Sequence, residues 1–327
     1  MGAMRVEQLR GGVVEAWHDV HVAVVDRTGR LVAHAGDPRL VTFWRSAAKP
    51  FQAAPLVEDG VMERFGITDQ ELALACASHS SEPAQVAKVR ELLAKIGCAE
   101  RDLLCGPHPP LSERVAQDYQ ARGVRLTPVY SNCSGKHAGM LALARRHGWP
   151  TEFYTRPEHP VQQRCLAEVS RWAEVPQEKI ATGVDGCGVV CFALPLRNMA
   201  LAYAKLGSGE GTAPGSPLPR LAATMLHHPE LIAGEGRPCT ELMRAHPGRV
   251  IAKVGAEGVY CALLVGEGLG VALKVADGHA LASALALAVV LQALGLRPLP
   301  PTLGPRQNLN TRGEPVGELR VNGGLEQ

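Results

Sequence analysis

The sequence predicts an α+β protein whose antiparallel sheet is assembled from both ends of the chain around a mostly helical middle. Three observations carry this. Near the start, Val20–Val25 (VHVAVV) is a β-branched run that ends in Asp26-Arg27-Thr28-Gly29-Arg30 and resumes at Leu31–His34, the pattern of a hairpin. Near the end, residues 249–276 hold short apolar runs broken by glycines (VIAKVGAEG, VYCALLV, GEGLG, VALKVADG), which read as three antiparallel strands. Between them, apolar residues recur at helical spacing with capping residues at the boundaries. The sheet is expected from about 13–45 and 249–320, the helical part from about 46–248, and residues 1–327 as one unit.

The helical elements follow in order. Ser46–Val57 (SAAKPFQAAPLV) is apolar at helical spacing, with Pro50 tolerable in a first turn and Pro55 later. Thr68 and Glu71 form a capping box for the next helix. Ser81-Glu82-Pro83 opens Ala84–Ile96, closed by Gly97, with Ser80 or Ser81 as the cap. Further helices are predicted at Lys136–Arg146, Val161–Ala173, Leu194–Lys205 and Pro219–His227. Residues 207–219 read as a surface loop and 299–305 as an extended, proline-rich tail. The apolar stretch Ala280–Leu296 is rich in alanine and interrupted by Ser283, Gln292 and Gly295, so a buried helix is expected rather than a membrane span.

Composition narrows the class of function. Net charge is +2 with acids and bases interspersed, and aromatics make up 4%, so neither nucleic acid nor a membrane is an expected partner. The first twelve residues lack the apolar core of a signal peptide. Nine cysteines are scattered without a CxxC pair, which fits reduced thiols in a cytoplasmic protein.

Several short stretches concentrate reactive side chains. Ser46-Ala47-Ala48-Lys49 sets a hydroxyl and an amine three apart, neighbours on a helix face. A desolvated amine there can take the hydroxyl proton, the S-x-x-K arrangement of serine acyl-transfer enzymes. A helix cap beside a solvated lysine would give the same letters. ASHSSE (77–82) crowds three serines beside His79 and Glu82, and one cap leaves Ser78 and His79 unexplained. Lys253-Val254-Gly255 reads as strand lining. Cys133 and Lys136, with Cys187 on the Asp185-Gly186-Cys187-Gly188 loop, could ligate zinc or be buried thiols, lysine being an unusual ligand.

Along the chain stand RSAAKP (45–50), ASHSSEP (77–83), CGPHPP (105–110), SNCSGKHAGML (131–141), VDGCG (184–188), KVGAEGVY (253–260) and NTRGEPVG (310–317). In this order they resemble the L-asparaginase II family, the Rhizobium-type or class 3 asparaginases, over about Val13–Arg320. The resemblance implies a serine β-lactamase/glutaminase-like fold, a homodimer and hydrolysis of L-asparagine to L-aspartate and ammonia by a single catalytic unit. It implies two catalytic pairs, Ser46 with Lys49 and Ser78 with Lys253, of which Ser46 is the better candidate nucleophile because its lysine is local. It further implies a Zn2+ ion held by Cys133, Lys136 and Cys187, and substrate contacts from Arg45, His79, Asp185 and Cys239. The sequence departs from the family at Ser81, where glycine is expected, at Val189-Val190, where proline is expected nearby, and at 277–283, which lacks an arginine. A glutaminase, a β-lactam hydrolase or a non-catalytic zinc-dependent amino-acid-binding protein are the alternative readings.

Overall fold

The computed structural model describes residues 4–207 and 215–326, so most of the loop expected at 207–219 lies outside the described residues. Two compact units share the chain: Met1–Ala47, Leu194–Lys205 and Glu241–Gln327 form the first, Ala48–Ala193 and Leu206–Thr240 the second.

The first unit is built on a sheet of eight strands. These are β1 (Met4–Arg10), β2 (Val13–Val25), β3 (Leu31–Ala35), β4 (Val250–Val254), β5 (Val259–Leu264), β6 (Leu269–Val275), β7 (Arg306–Leu309) and β8 (Pro315–Asn322). Their order is β7-β8-β1-β2-β6-β5-β4, with β3 also paired to β2, and the pairings are antiparallel. The sheet therefore draws on both ends of the chain, as predicted, and the protein is α+β.

The predicted hairpin is stabilised by Asp26, whose Oδ1 accepts from Thr28 N at 2.9 Å, Thr28 Oγ1 at 2.7 Å and Arg30 N at 3.1 Å. The Thr28 hydroxyl is the largest of several bonds that hold this carboxyl down to about 2. β1, β7 and β8 had no apolar signal in the sequence. β8 buries only Leu319, and β1 turns Glu7 toward Arg320 and Asn322 of β8, at 2.9 and 2.8 Å. β1 also buries Met4, Val6 and Leu9, whereas backbone pairing forms β7 and β8 with little help from side-chain burial. The Ala280–Ala293 helix packs its buried residues on the sheet, and among the described residues no helix is long and apolar enough to cross a membrane. The Leu196–Leu206 helix also lies on this sheet, although the sequence placed it in the helical middle. Its approach explains Gly270, where a Cβ would sit 1.8 Å from Ala200 O.

The second unit is mainly helical: α1 (Asp69–Ala75), α2 (Pro83–Lys95), α3 (Ser134–His147) and α4 (Pro160–Ala173), with a hairpin of Ala181–Val184 and Val190–Pro195. The Thr68–Glu71 capping box is present. The helix expected over Ser46–Val57 is instead a 3₁₀ turn (Arg45–Ala48) and two short helices, Lys49–Gln52 and Ala54–Glu58. Pro50 and Pro55 each lack an N–H and restart the helix. α2 is capped by Glu82 rather than by a serine, and Gln85 Oε1 accepts from both Ser80 N and Glu82 N at 3.0 Å. α3 is buried from Ser134 to Ala144, so its helical moment carried little information. Gly135 and Gly139, one turn apart, let it approach closely: a Cβ at 135 would lie 2.3 Å from Leu74 O, and one at 139 would lie 3.1 Å from Leu56 Cδ1. On α4, Arg164 binds Glu58 at 2.7 Å and Asp59 at 2.9 Å and also pairs with Glu168, joining the segment after Lys49 to this helix.

Candidate active site

Three lysines singled out from the sequence are nearly inaccessible: Lys49 is 1% exposed, Lys136 3% and Lys253 1%. That excludes the reading of Lys49 as a solvated lysine beside a helix cap. Burying an ammonium is costly unless it is bonded, so the partners define the site.

Lys49 begins the Lys49–Gln52 helix, and its Nζ donates to Ala77 O at 2.6 Å and to Ser78 Oγ at 2.9 Å. Ser78 is held in turn by its N–H to Ile232 O at 2.9 Å. The structure thus brings Lys49 directly to Ser78. Ser46, Arg45 and Lys253 belong to the first unit. Ser46 lies in the 3₁₀ turn, and Arg45 before it adopts a left-handed φ of 54°. A non-glycine residue in that region is strained. Lys253 on β4 donates to Val254 O at 3.0 Å.

The stretch after Ser78 forms a buried network. Ser81 N donates to His79 Nδ1 at 3.1 Å, so His79 carries its proton on Nε2, which faces Ser134 Oγ at 2.8 Å, and Ser134 Oγ donates to Val129 O at 2.8 Å. Ser81 adopts φ 59°. This is the backbone that a glycine would occupy without strain, which accounts for the expectation of glycine at this position. The serine is held there by Oγ to Tyr130 O at 2.5 Å and by Tyr119 Oη donating to its carbonyl at 2.6 Å.

Burial, aided by the charge of Lys49, pushes His79 down to about 3. The unfolded histidine titrates near 6.5, so above that pH both states are neutral and nothing changes. As pH falls below it, the unfolded chain binds a proton that the fold refuses, and stability is lost until about pH 3. From pH 7 to pH 5 the expected loss is about 2 kcal/mol. Urea unfolding at both pH values should show it, and His79→Asn, which keeps an acceptor for Ser81 N, should remove that share. An unchanged pH dependence in the variant would show that His79 is not the group responsible.

Cys133 caps α3, Lys136 lies in its first turn, and Cys187 is carried by the Asp185–Gly188 turn, where Gly188 takes φ 88°. Lys136 Nζ donates to Cys187 Sγ at 3.1 Å, and the Cys133 thiol faces Asn132 Oδ1 at 3.0 Å. Hydrogen bonding from Cys133, with the charges of Lys136 and Lys49, pulls Cys187 down to about 4 against its burial. The same bond and burial push Cys133 up to about 12. The Cys187 charge outweighs burial and keeps Lys136 above its ordinary value, with Asp185 adding to the effect. Two sulfurs and an amine therefore converge in a partly buried knot. Among the described residues no group of three or more His, Cys, Asp and Glu side chains is arranged for a metal, and a third donor arises only by counting Lys136. As a donor set, two sulfurs and an amine nitrogen fit zinc once Cys133 and Lys136 lose their protons. No disulfide joins any of the nine cysteines.

Asp185 anchors its own turn, accepting from Gly186 N at 2.7 Å, and Cys239 is buried in the Pro238–Ala245 helix. Sequence reasoning gave no role to Tyr154, whose hydroxyl lies 2.6 Å from His137 Nδ1 and accepts from Leu104 N at 2.9 Å. No local pattern marks it, because its partners are 17 and 50 positions away.

No curated protein matches the sequence. Among solved structures, the chain is similar to a β-lactamase from Mycobacterium bovis, with 16% identity, 84% of this chain and 94% of that one covered, and a TM-score of 0.42. It is similar to a Bacillus glutaminase at 16% identity, covering 85% and 91%, with a TM-score of 0.38. It also resembles Mglu in its native form at 16% identity and a TM-score of 0.39, where 85% of this chain spans 61% of the other. The L-asparaginase II profile matches residues 6–321, nearly the whole length, so the chain belongs to the L-asparaginase II family and is an amidohydrolase.

Proposed function

We propose that the protein hydrolyses L-asparagine to L-aspartate and ammonia through a serine acyl-enzyme. The observation that carries this is the hydrogen bond between the buried Lys49 amine and Ser78 Oγ, 2.9 Å long, in a chain of this family. An amine so placed can exchange a proton with a serine hydroxyl as an acyl group is transferred.

Ser46 is the serine proposed for acylation, with Lys253 the family partner of Ser78. The serine oxygen bonds to the side-chain amide carbon, the C–N bond breaks, and ammonia leaves with a proton delivered from the lysine side. Water then attacks the ester and aspartate departs. Arg45, His79, Asp185 and Cys239 are the proposed substrate contacts, and a homodimer is the proposed assembly.

Cys133, Lys136 and Cys187 would hold zinc, which when bound supplies a Lewis-acidic centre for orienting the amino acid. Asp185, beside that donor set, would meet the substrate's α-amino group.

The test is ammonia release from L-asparagine and from L-glutamine, with and without added zinc. Asparagine is expected to be the better substrate. About one zinc ion per chain is expected after supplementation, lost in Cys133→Ala and in Cys187→Ala. Mass spectrometry of acid-quenched protein should place the acyl group on Ser46, and an adduct on Ser78 would reassign the nucleophile. Turnover of glutamine or of a chromogenic β-lactam without asparagine turnover would overturn the substrate, and full activity without metal would overturn the zinc.

A further inference from the structure

The CGPHPP segment is fastened to the thiol cluster. His108 sits between Pro107 and Pro109, whose rings restrict the backbone on either side. Its Nδ1 lies 2.7 Å from Pro109 O, and its Nε2 lies 3.0 Å from Asn132 N and 2.7 Å from Asn132 Nδ2.

The proton positions follow without ambiguity. A backbone N–H can only donate, so His108 Nε2 is an acceptor and the ring proton sits on Nδ1, facing a carbonyl. The side-chain atom of Asn132 facing Nε2 must then also be a donor, its NH₂ group. That forces Asn132 Oδ1 to the other side, where it lies 3.0 Å from Cys133 Sγ. A flipped amide would set Oδ1 against an imidazole lone pair. The histidine therefore fixes which end of the amide meets the thiol.

The same segment grips the neighbourhood at two more points. Cys105 Sγ faces Pro128 O at 3.5 Å, just ahead of α3. Leu104 N donates to the Tyr154 hydroxyl, which is bonded to His137 in the first turn of α3. The start of the helix carrying Cys133 and Lys136 is thus held from both sides by one short loop.

We propose that His108 is a positioning residue for the thiol cluster: through Asn132 it sets the direction of the Cys133 side chain toward Cys187 and Lys136. It touches no reacting atom, and its effect passes through Asn132. In its zinc readout the inference rests on the zinc reading given above. In its thiol readout it does not.

The experiment compares wild type, His108→Ala, His108→Gln and Asn132→Ala. Zinc affinity is measured by competition with a chromophoric chelator. Alkylation of Cys133 by iodoacetamide is followed in metal-free protein by mass spectrometry, and thermal midpoints are recorded. His108→Ala should change zinc affinity roughly 10-fold or more, the scale for removing an outer-shell partner. It should also change the Cys133 alkylation rate several-fold. Glutamine, whose Oε1 can accept where Nε2 did, should restore most of both, which a merely structural role would not do. Asn132→Ala should match His108→Ala, and the double variant should add nothing further.

If wild type binds zinc and His108→Ala binds it equally well with unchanged alkylation, the proposal fails. If wild type binds no zinc, the zinc reading fails, and the alkylation rates alone decide the positioning role. If His108→Ala does not fold, His108→Gln and Asn132→Ala decide: a wild-type alkylation rate in Asn132→Ala overturns the proposal.

Discussion

Replacing Lys49 with methionine is expected to lower asparagine turnover by roughly 10²–10⁴-fold, the usual worth of a positioned proton-transfer group. Methionine matches the lysine stem in length and apolar character but can neither donate nor accept the proton. Lys49 Nζ is bonded to Ala77 O and Ser78 Oγ, so the variant leaves two buried acceptors without this donor. Each unsatisfied group costs about 1–3 kcal/mol, which should lower the thermal midpoint without preventing folding. Turnover measured below the melting transition separates the two effects. Lys88, a surface lysine paired with Glu91 at 2.7 Å, serves as the control, and Lys88→Met should leave turnover unchanged. A Lys49→Met enzyme that keeps most of its turnover would remove Lys49 from the mechanism.

Gly135→Ala is expected to harm the fold sharply through the addition of a single methyl group. Helix propensity alone favours alanine over glycine by about 1 kcal/mol. Against that, the new Cβ would lie 2.3 Å from Leu74 O and 2.9 Å from Leu74 Cβ. The first contact is with backbone, so no side-chain rotation relieves it, and α1 and α3 must separate. Overpacking of this kind costs about 3 kcal/mol or more, so the clash outweighs propensity. The thermal midpoint should fall by roughly 5–10 °C. Gly266→Ala, with nothing within 4 Å of the added atom, should be close to neutral. An unchanged midpoint for Gly135→Ala would mean that the two helices are not packed backbone to backbone. Because α3 carries Cys133 and Lys136, loss of this contact should also loosen the thiol cluster.

The strands buried along most of their length were legible in the sequence. The second half of β2, with β4, β5 and β6, falls where apolar runs predicted it, because near-continuous burial selects apolar side chains and leaves a visible run. β1, β7 and β8 were not legible: β7 and β8 bury little, and the apolar residues that β1 buries, Met4, Val6 and Leu9, are separated by charged and polar ones. The capping box at Thr68–Glu71 was readable for the same local reason that it forms: its partners are three residues apart. The cap of α2 was misjudged because the helix begins at Pro83, with Glu82 between it and the serines, and Gln85 reaches back to accept from Glu82 N and Ser80 N.

The sequence by itself determined the α+β class, the family motifs and the identity of the reactive groups. All of these are properties of residue type and short spacing. Only the tertiary structure decided who meets whom. It placed Lys49 on Ser78, 29 positions away, although the local spacing had pointed to Ser46. It brought Lys136 to Cys187 across 51 positions and gave His108 a partner 24 positions on. It also showed why Ser81 can stand where a glycine is expected, since left-handed backbone there is held by bonds to Tyr130 and Tyr119. Hydrogen bonds act over about 3 Å of space regardless of distance along the chain. A one-dimensional pattern therefore names the donors and acceptors, and the packing of the helices pairs them.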